Sequence, residues 1–143
     1  MTTENKEKPM KIYIAAKYEE SEKAKRLMNI FREEGHTITF DWTREDPDPD
    51  GDIAQKLVKA VKQADVLVVL MLNSHTSQGV WVEIGIALAH NIPIIAIGQA
   101  KSDCIFLQHP LVVVFKDQTE SEQSRMERIK AHPFYKVFSG ENA

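Results

Sequence analysis

Glu83 is the residue in this sequence best placed for covalent chemistry, because of what surrounds it. It lies within Gly79-Val80-Trp81-Val82-Glu83-Ile84-Gly85-Ile86-Ala87-Leu88-Ala89-His90. On a helical wheel Val80, Trp81, Ile84 and Leu88 form one apolar face. Val82, Ile86 and Ala89 cover much of the opposite side, and only Glu83 and His90 interrupt the apolar surface. A helix apolar nearly all round reads as a largely buried one, so Glu83 is expected in a restricted environment. No Lys or Arg stands three or four residues away on the helix to pair with it. A carboxylate so placed suits nucleophilic attack or proton transfer. The structural alternative is a first-turn carboxylate favoured by the helix dipole. His90, two turns further on, reads as a C-terminal helix residue rather than as a catalytic partner of Glu83.

Other residues offer weaker chemistry. Asp41-Trp42 ends an apolar run. Asp41 could handle a proton and Trp42 could stack on a base; an Asx turn and an indole covering a sheet end account for the pair equally well. Tyr13 reads as a core residue or as a support for a site. Lys17 could attract a phosphate or simply be solvated. Asp46-Pro47-Asp48-Pro49-Asp50-Gly51-Asp52-Ile53 copies the start of an EF-hand loop. Its twelfth position is Leu57 where a bidentate glutamate is needed, and no helix precedes it. The stretch reads instead as a solvated acidic loop, a candidate lid over a crevice.

The elements that must position these residues follow from apolar periodicity. Strand-length apolar runs occur at 11–16, 37–41, 66–72, 94–97 and 111–115. Several are continuous blocks, such as Val66-Leu67-Val68-Val69-Leu70, the mark of strands buried on both faces of a parallel sheet. Helical patterns alternate with them at 19–34, 52–64, 79–90 and 119–130, with a short helix at 102–107. Gly35 suits a helix C-cap and Asp52 a helix N-cap. Such alternation implies right-handed crossovers and one open sheet. The expected fold is a Rossmann/flavodoxin-like, doubly wound α/β domain with five parallel strands, order 2-1-3-4-5. Its topological switch lies between the first and third strands, and ligands bind beyond their carboxyl ends. The loops at 16–20 and 72–79 are there.

Composition sets the bounds. The 143 residues, 43% of them hydrophobic, suit one globular domain over 10–143 after a polar tail at 1–9. A net charge of −3 gives no strong field toward nucleic acid or an anionic membrane. No apolar run is long enough to span a bilayer, and the tail lacks the apolar core of a signal peptide. The single cysteine, Cys104, excludes an internal disulfide and suits a reducing cytoplasm. No metal and no cofactor is expected. Phe134, Tyr135, Val137 and Phe138 near the C-terminus are apolar enough to pack on the domain or on a second chain.

Ala64-Asp65-Val66-Leu67-Val68-Val69, Ser77-Gln78-Gly79-Val80-Trp81-Val82-Glu83-Ile84-Gly85-Ile86-Ala87 and Ile92-Pro93-Ile94 together resemble the nucleoside 2-deoxyribosyltransferase superfamily. The S-x-G-V-x-x-E-x-G-x-A run is similar to its 2′-deoxynucleoside 5′-phosphate N-hydrolase branch. Lys11-Ile12-Tyr13-Ile14-Ala15-Ala16 resembles the family's first strand and turn. The resemblance implies cleavage or transfer at the N-glycosidic bond of a nucleoside or nucleotide. It assigns Glu83 the attack on the anomeric carbon, in the manner of retaining glycosyl chemistry. It also implies that Ser77 contacts the 5′ side of the ligand; a plain N-cap is the structural alternative.

At the closest spacing to the family's upstream aspartate stands Leu57; Asp52 or Asp41 could take that role, and neither matches it residue by residue. The candidate catalytic set is thus Glu83, Asp52 and Asp41. The candidate ligand contacts are Tyr13, Ala15, Lys17, Trp42, Ser77 and Gly79. By the same resemblance the chain is a homodimer or larger homo-oligomer. A nucleotide-binding or sensing module without turnover is the alternative on the same fold, and a TIR-like NAD-cleaving enzyme is a third reading.

Overall fold

A computed structural model of the chain describes residues 9–44, 51–71, 77–98 and 104–115. Five strands, β1 (Lys11–Ala15), β2 (Thr37–Ile38), β3 (Val66–Leu70), β4 (Ile94–Ile97) and β5 (Val112–Phe115), form one parallel sheet. Their order is β2-β1-β3-β4-β5, as the βα alternation implies. Three helices are described: α1 (Ser21–Glu33), α2 (Gly51–Gln63) and α3 (Gln78–Ala89).

The strands alternate their side chains between two cores, because successive residues point to opposite faces. On one face Ile12, Ile14, Val68 and Ile95 pack with Leu27, Met28 and Phe31 of α1. On the other Tyr13, Ala15, Leu67 and Val69 pack with Val61 of α2 and with Val80, Ile84 and Ala87 of α3. All five residues of β3 are buried, which is why that stretch is apolar without alternation.

Helix ends follow their cap residues. Gly35 takes φ +95°, and the N–H groups of Gly35 and His36 donate to the carbonyls of Arg32 and Phe31. That is the Schellman pattern expected of a glycine there. Asn91, at φ 58°, ends α3 in the same way, with Ile92 N–H donating to Ala87 at 2.8 Å. The buried His36 then ties the chain to β1: its Nδ1 accepts the Met10 N–H at 3.0 Å.

Four sequence expectations change. The second strand ends at Ile38, not at residue 41, because the Asp41 carboxylate accepts the Thr43 N–H and turns the chain into a 3-10 segment, Trp42–Arg44. The first helical stretch opens as a separate 3-10 turn, Tyr18–Glu20. Asp52 lies one residue inside α2, in its first turn, rather than at the cap. α3 is not buried all round: Val80, Ile84 and Ala87 face the core, while Val82 is 60% exposed.

The tail at 1–8, the acidic loop at 46–50, most of the 72–79 loop, the helix at 119–130 and the aromatic C-terminal stretch lie outside the described residues. The short helix expected at 102–107 is, in its described part, a 3-10 turn at Ile105–Gln108. Among the described residues no helix is long and apolar enough to cross a membrane.

Candidate active site

β1 and α3 together build the candidate site around Glu83. The register of β1 turns Tyr13 and Ala15 toward the α2/α3 layer. Tyr13 is fully buried there, and its hydroxyl donates to Glu83 Oε2 at 2.7 Å, across 70 residues of sequence. α3 starts at the carboxyl end of β3 and is anchored by Ser77, whose Oγ accepts the Val80 N–H at 3.3 Å. Counting from that cap, Glu83 stands in the second turn, so it is not the first-turn dipole residue of the structural alternative.

The electrostatics of Glu83 follow from this position. Burial penalises its charged form and pushes the carboxyl up to about 7; the Tyr13 hydrogen bond pulls the other way. The Tyr13 hydroxyl is raised well above its ordinary value, first by burial and then by the charge of Glu83. Tyr13 therefore stays a donor at neutral pH, and Glu83 is present in both protonated and ionised forms.

Asp41 is set up in the opposite sense. Burial pushes its carboxyl up, but hydrogen bonds from Thr43 and Arg32 outweigh that and leave it lowered. Arg32 Nη2 stands 3.2 Å away and Arg44 Nε 3.5 Å. The Thr43 hydroxyl also donates to it. Trp42, next in sequence, lies against both cores, and its indole N–H donates to the Ile14 carbonyl at 2.7 Å. The indole thus covers the end of β1, and the covering role and a wall of the crevice are compatible.

The remaining candidates divide by location. Ala15 is buried at the end of β1, and Lys17 follows it, half-buried, just before the 3-10 turn. Gly79 is exposed in the first turn of α3, and a Cβ there would meet Ser77 Oγ at an ordinary 3.9 Å. Asp52 is exposed at the start of α2. Leu57, at the expected position of an acid, is half-buried in the α2/α3 core. His90 caps α3, its Nδ1 2.9 Å from the Ile86 carbonyl, the helix-end role expected of it.

Sequence reasoning missed two things. It did not pair Tyr13 with Glu83, although the odd positions of β1 share the face that α3 covers. It did not see Arg32 as the partner of Asp41, since the two meet only where the chain turns back after β2.

The chain matches the family model described as nucleoside 2-deoxyribosyltransferase over residues 12–126. No curated protein matches it significantly in sequence. Among solved structures it is similar to a CMP N-glycosidase from Clostridium botulinum, at 18% identity and TM-score 0.63, covering 84% of this chain and 98% of that one. A conserved protein from Enterococcus faecalis aligns at 19% identity and TM-score 0.60, over 85% and 98% of the two chains. A 2-deoxyribosyltransferase from Bacillus psychrosaccharolyticus aligns at 16% identity and TM-score 0.59, over 89% and 95%. At such identities these structures share the fold.

Proposed function

This chain belongs to the nucleoside 2-deoxyribosyltransferase family, and we propose that it cleaves or transfers the N-glycosidic bond of a nucleoside or its 5′-monophosphate with Glu83 as nucleophile. The observation that carries this reading is the half-buried Glu83 carboxyl held at 2.7 Å by the Tyr13 hydroxyl and raised by desolvation. Partial desolvation strengthens the attraction between a carboxylate and the positive charge that develops at C1′ as the bond breaks.

The ionised Glu83 attacks C1′ while the C1′–N bond breaks. The base departs with the bonding electrons and takes up a proton. A glycosyl ester on Glu83 remains, and water or a second base opens it. Tyr13 orients the carboxylate through one oxygen and leaves the other for attack. Asp41, held ionised by Arg32 and Thr43, is a poor proton donor at neutral pH, which leaves Asp52, exposed at the start of α2, as the remaining candidate. Ser77 accepts the Val80 N–H, which leaves its own O–H to donate to a ligand. With the N-terminus of α3 it would suit a 5′-phosphate, a reading supported by the likeness to a CMP N-glycosidase. Lys17 adds a cation on the same side, and Ala15, Gly79 and Trp42 complete the wall.

The test is incubation with a panel of deoxyribo- and ribonucleosides and their 5′-monophosphates, followed by chromatography. Free base is expected from at least one, and none with Glu83→Ala. No base from any of them overturns the reading. One observation favours a second reading, a nucleotide-binding module without turnover: Leu57 replaces the acid, and Asp41 is already engaged by two arginines. It is distinguished by nucleotide-induced thermal stabilisation in the absence of base release.

A further inference from the structure

The turn after β2 is built around one carboxylate, and we propose that Asp41 is a positioning residue: it clamps the turn that presents the Trp42 indole as a stacking face for the nucleobase of the ligand. The proposal rests on the reading of the ligand as a nucleoside or nucleotide, and it gives Asp41 a part in binding rather than in proton transfer.

The backbone ladder sets the place of the ring. Thr37 N–H donates to the Met10 carbonyl at 2.9 Å, and Thr39 N–H donates to the Ile12 carbonyl at 3.0 Å. Continued in the same even steps, parallel pairing would next put the residue 41 N–H on the Ile14 carbonyl. The chain has by then left the sheet, and the Trp42 indole N–H donates to that carbonyl instead, at 2.7 Å. The half-buried ring thus takes the ladder's next place, at the carboxyl end of β1 where ligands bind in this topology. Ile14 adjoins Tyr13, whose hydroxyl holds Glu83. An indole has one donor. With that donor engaged by Ile14, the ring offers a ligand its π face, which suits any flat aromatic base.

Asp41 decides whether the ring stays there. Its carboxylate accepts the Thr43 N–H at 3.1 Å and the Thr43 hydroxyl, which closes the turn on either side of Trp42. Arg32 Nη2 donates to it at 3.2 Å, and Arg32 is itself oriented on α1 by Asn29, whose Oδ1 accepts from Nη1 at 3.0 Å. Arg44 Nε adds a further cation at 3.5 Å. The clamp therefore runs from α1 through Arg32 and Asp41 to the turn, and through Trp42 to β1. A base stacked on a ring held in this way meets a surface that is ordered before it binds.

Fluorescence tests this without requiring turnover. The chain has two tryptophans, so Trp81→Phe leaves Trp42 as the reporter. Titration with the deoxyribo- and ribonucleosides and their 5′-monophosphates should quench its emission for at least one of them. In that background Asp41→Asn should weaken binding about tenfold, and Arg32→Gln about as much. The two together should cost no more than the larger single change, since both break one clamp. In the base-release assay the same two variants should raise KM by that factor and change kcat less than about threefold. Trp42→Ala should raise KM about 10- to 100-fold, and Trp42→Phe less. A proton-transferring Asp41 would give the opposite split, with kcat lowered at unchanged KM and no matching loss in Arg32→Gln. That result overturns the proposal, and so does Trp42 emission indifferent to every nucleoside and nucleotide. Quenching without base release defeats the glycosidic reading alone, and base release with KM indifferent to Asp41→Asn defeats the clamp alone.

Discussion

Glu83 on α3 and Asp41 in the turn after β2 are two carboxyls whose surroundings drive their acidities apart. Glu83 carries the Tyr13 hydroxyl on one oxygen, and burial raises it to about 7. Asp41 sits among donors, and Thr43 and Arg32 hold it below its ordinary value. Burial acts on both; what differs is how many donors compensate it. A carboxylate already satisfied by arginines has little left to offer a sugar. One that is under-compensated retains its reactivity, and that contrast is the reason the proposed nucleophile is Glu83 on α3 rather than Asp41 in the turn after β2.

The largest effect should come from removing the under-compensated group. Glu83→Ala should lower kcat at least about a thousand-fold in the base-release assay. Asp41→Asn should stay within about tenfold of wild type; the reverse ranking would break the contrast. Tyr13→Phe should cost about 10- to 100-fold, the worth of a hydrogen bond to a charged group. Because Tyr13 holds Glu83 down, the same variant should move the pH midpoint of kcat/KM upward. A merely structural tyrosine would leave that midpoint in place.

The pH profile itself sharpens the comparison. Attack requires ionised Glu83, so kcat/KM should rise with pH through about 7. Stability should run the other way. A raised carboxyl favours the folded state below its unfolded value, and that contribution is lost as pH rises from about 4.5 through about 7. Glu83→Gln should therefore raise the melting temperature at pH 8 while abolishing turnover, a gain of about 1–3 kcal/mol. A lower melting temperature at pH 8 would contradict it.

Asp41 has the opposite sign and the smallest effect. Its lowered carboxyl stabilises the fold above about 3.8, and this is lost as pH falls through its folded value. Asp41→Asn should cost about 1 kcal/mol by thermal denaturation at pH 7 and much less at pH 3. A cost independent of pH would show that charge is not what Asp41 contributes.

The sheet was largely legible beforehand because burial on both faces leaves continuous β-branched blocks that no helix pattern imitates. β2 was not, because its end is set by a side chain bonding back to the backbone. The Asp41–Thr43 bond stops a run whose apolar pattern would otherwise continue through Phe40. α3 misled in a different way. A wheel interrupted only by Glu83 and His90 reads as burial, whereas Val82 stands 60% exposed.

Local sequence determined what depends on near neighbours. Strand blocks, the Gly35 and Asn91 helix ends, the Ser77 cap and the isolation of Glu83 on an apolar helix all act within a turn or two of chain. Tertiary structure alone decided what Glu83 meets. The Tyr13 hydroxyl reaches it from 70 residues away because parallel pairing of β1 with β3 sets the odd positions of β1 beneath α3. The same pairing buries the carboxyl, and burial raises its pKa. No spacing along the chain encodes that, since desolvation depends on everything packed around a group and not on what stands beside it in sequence.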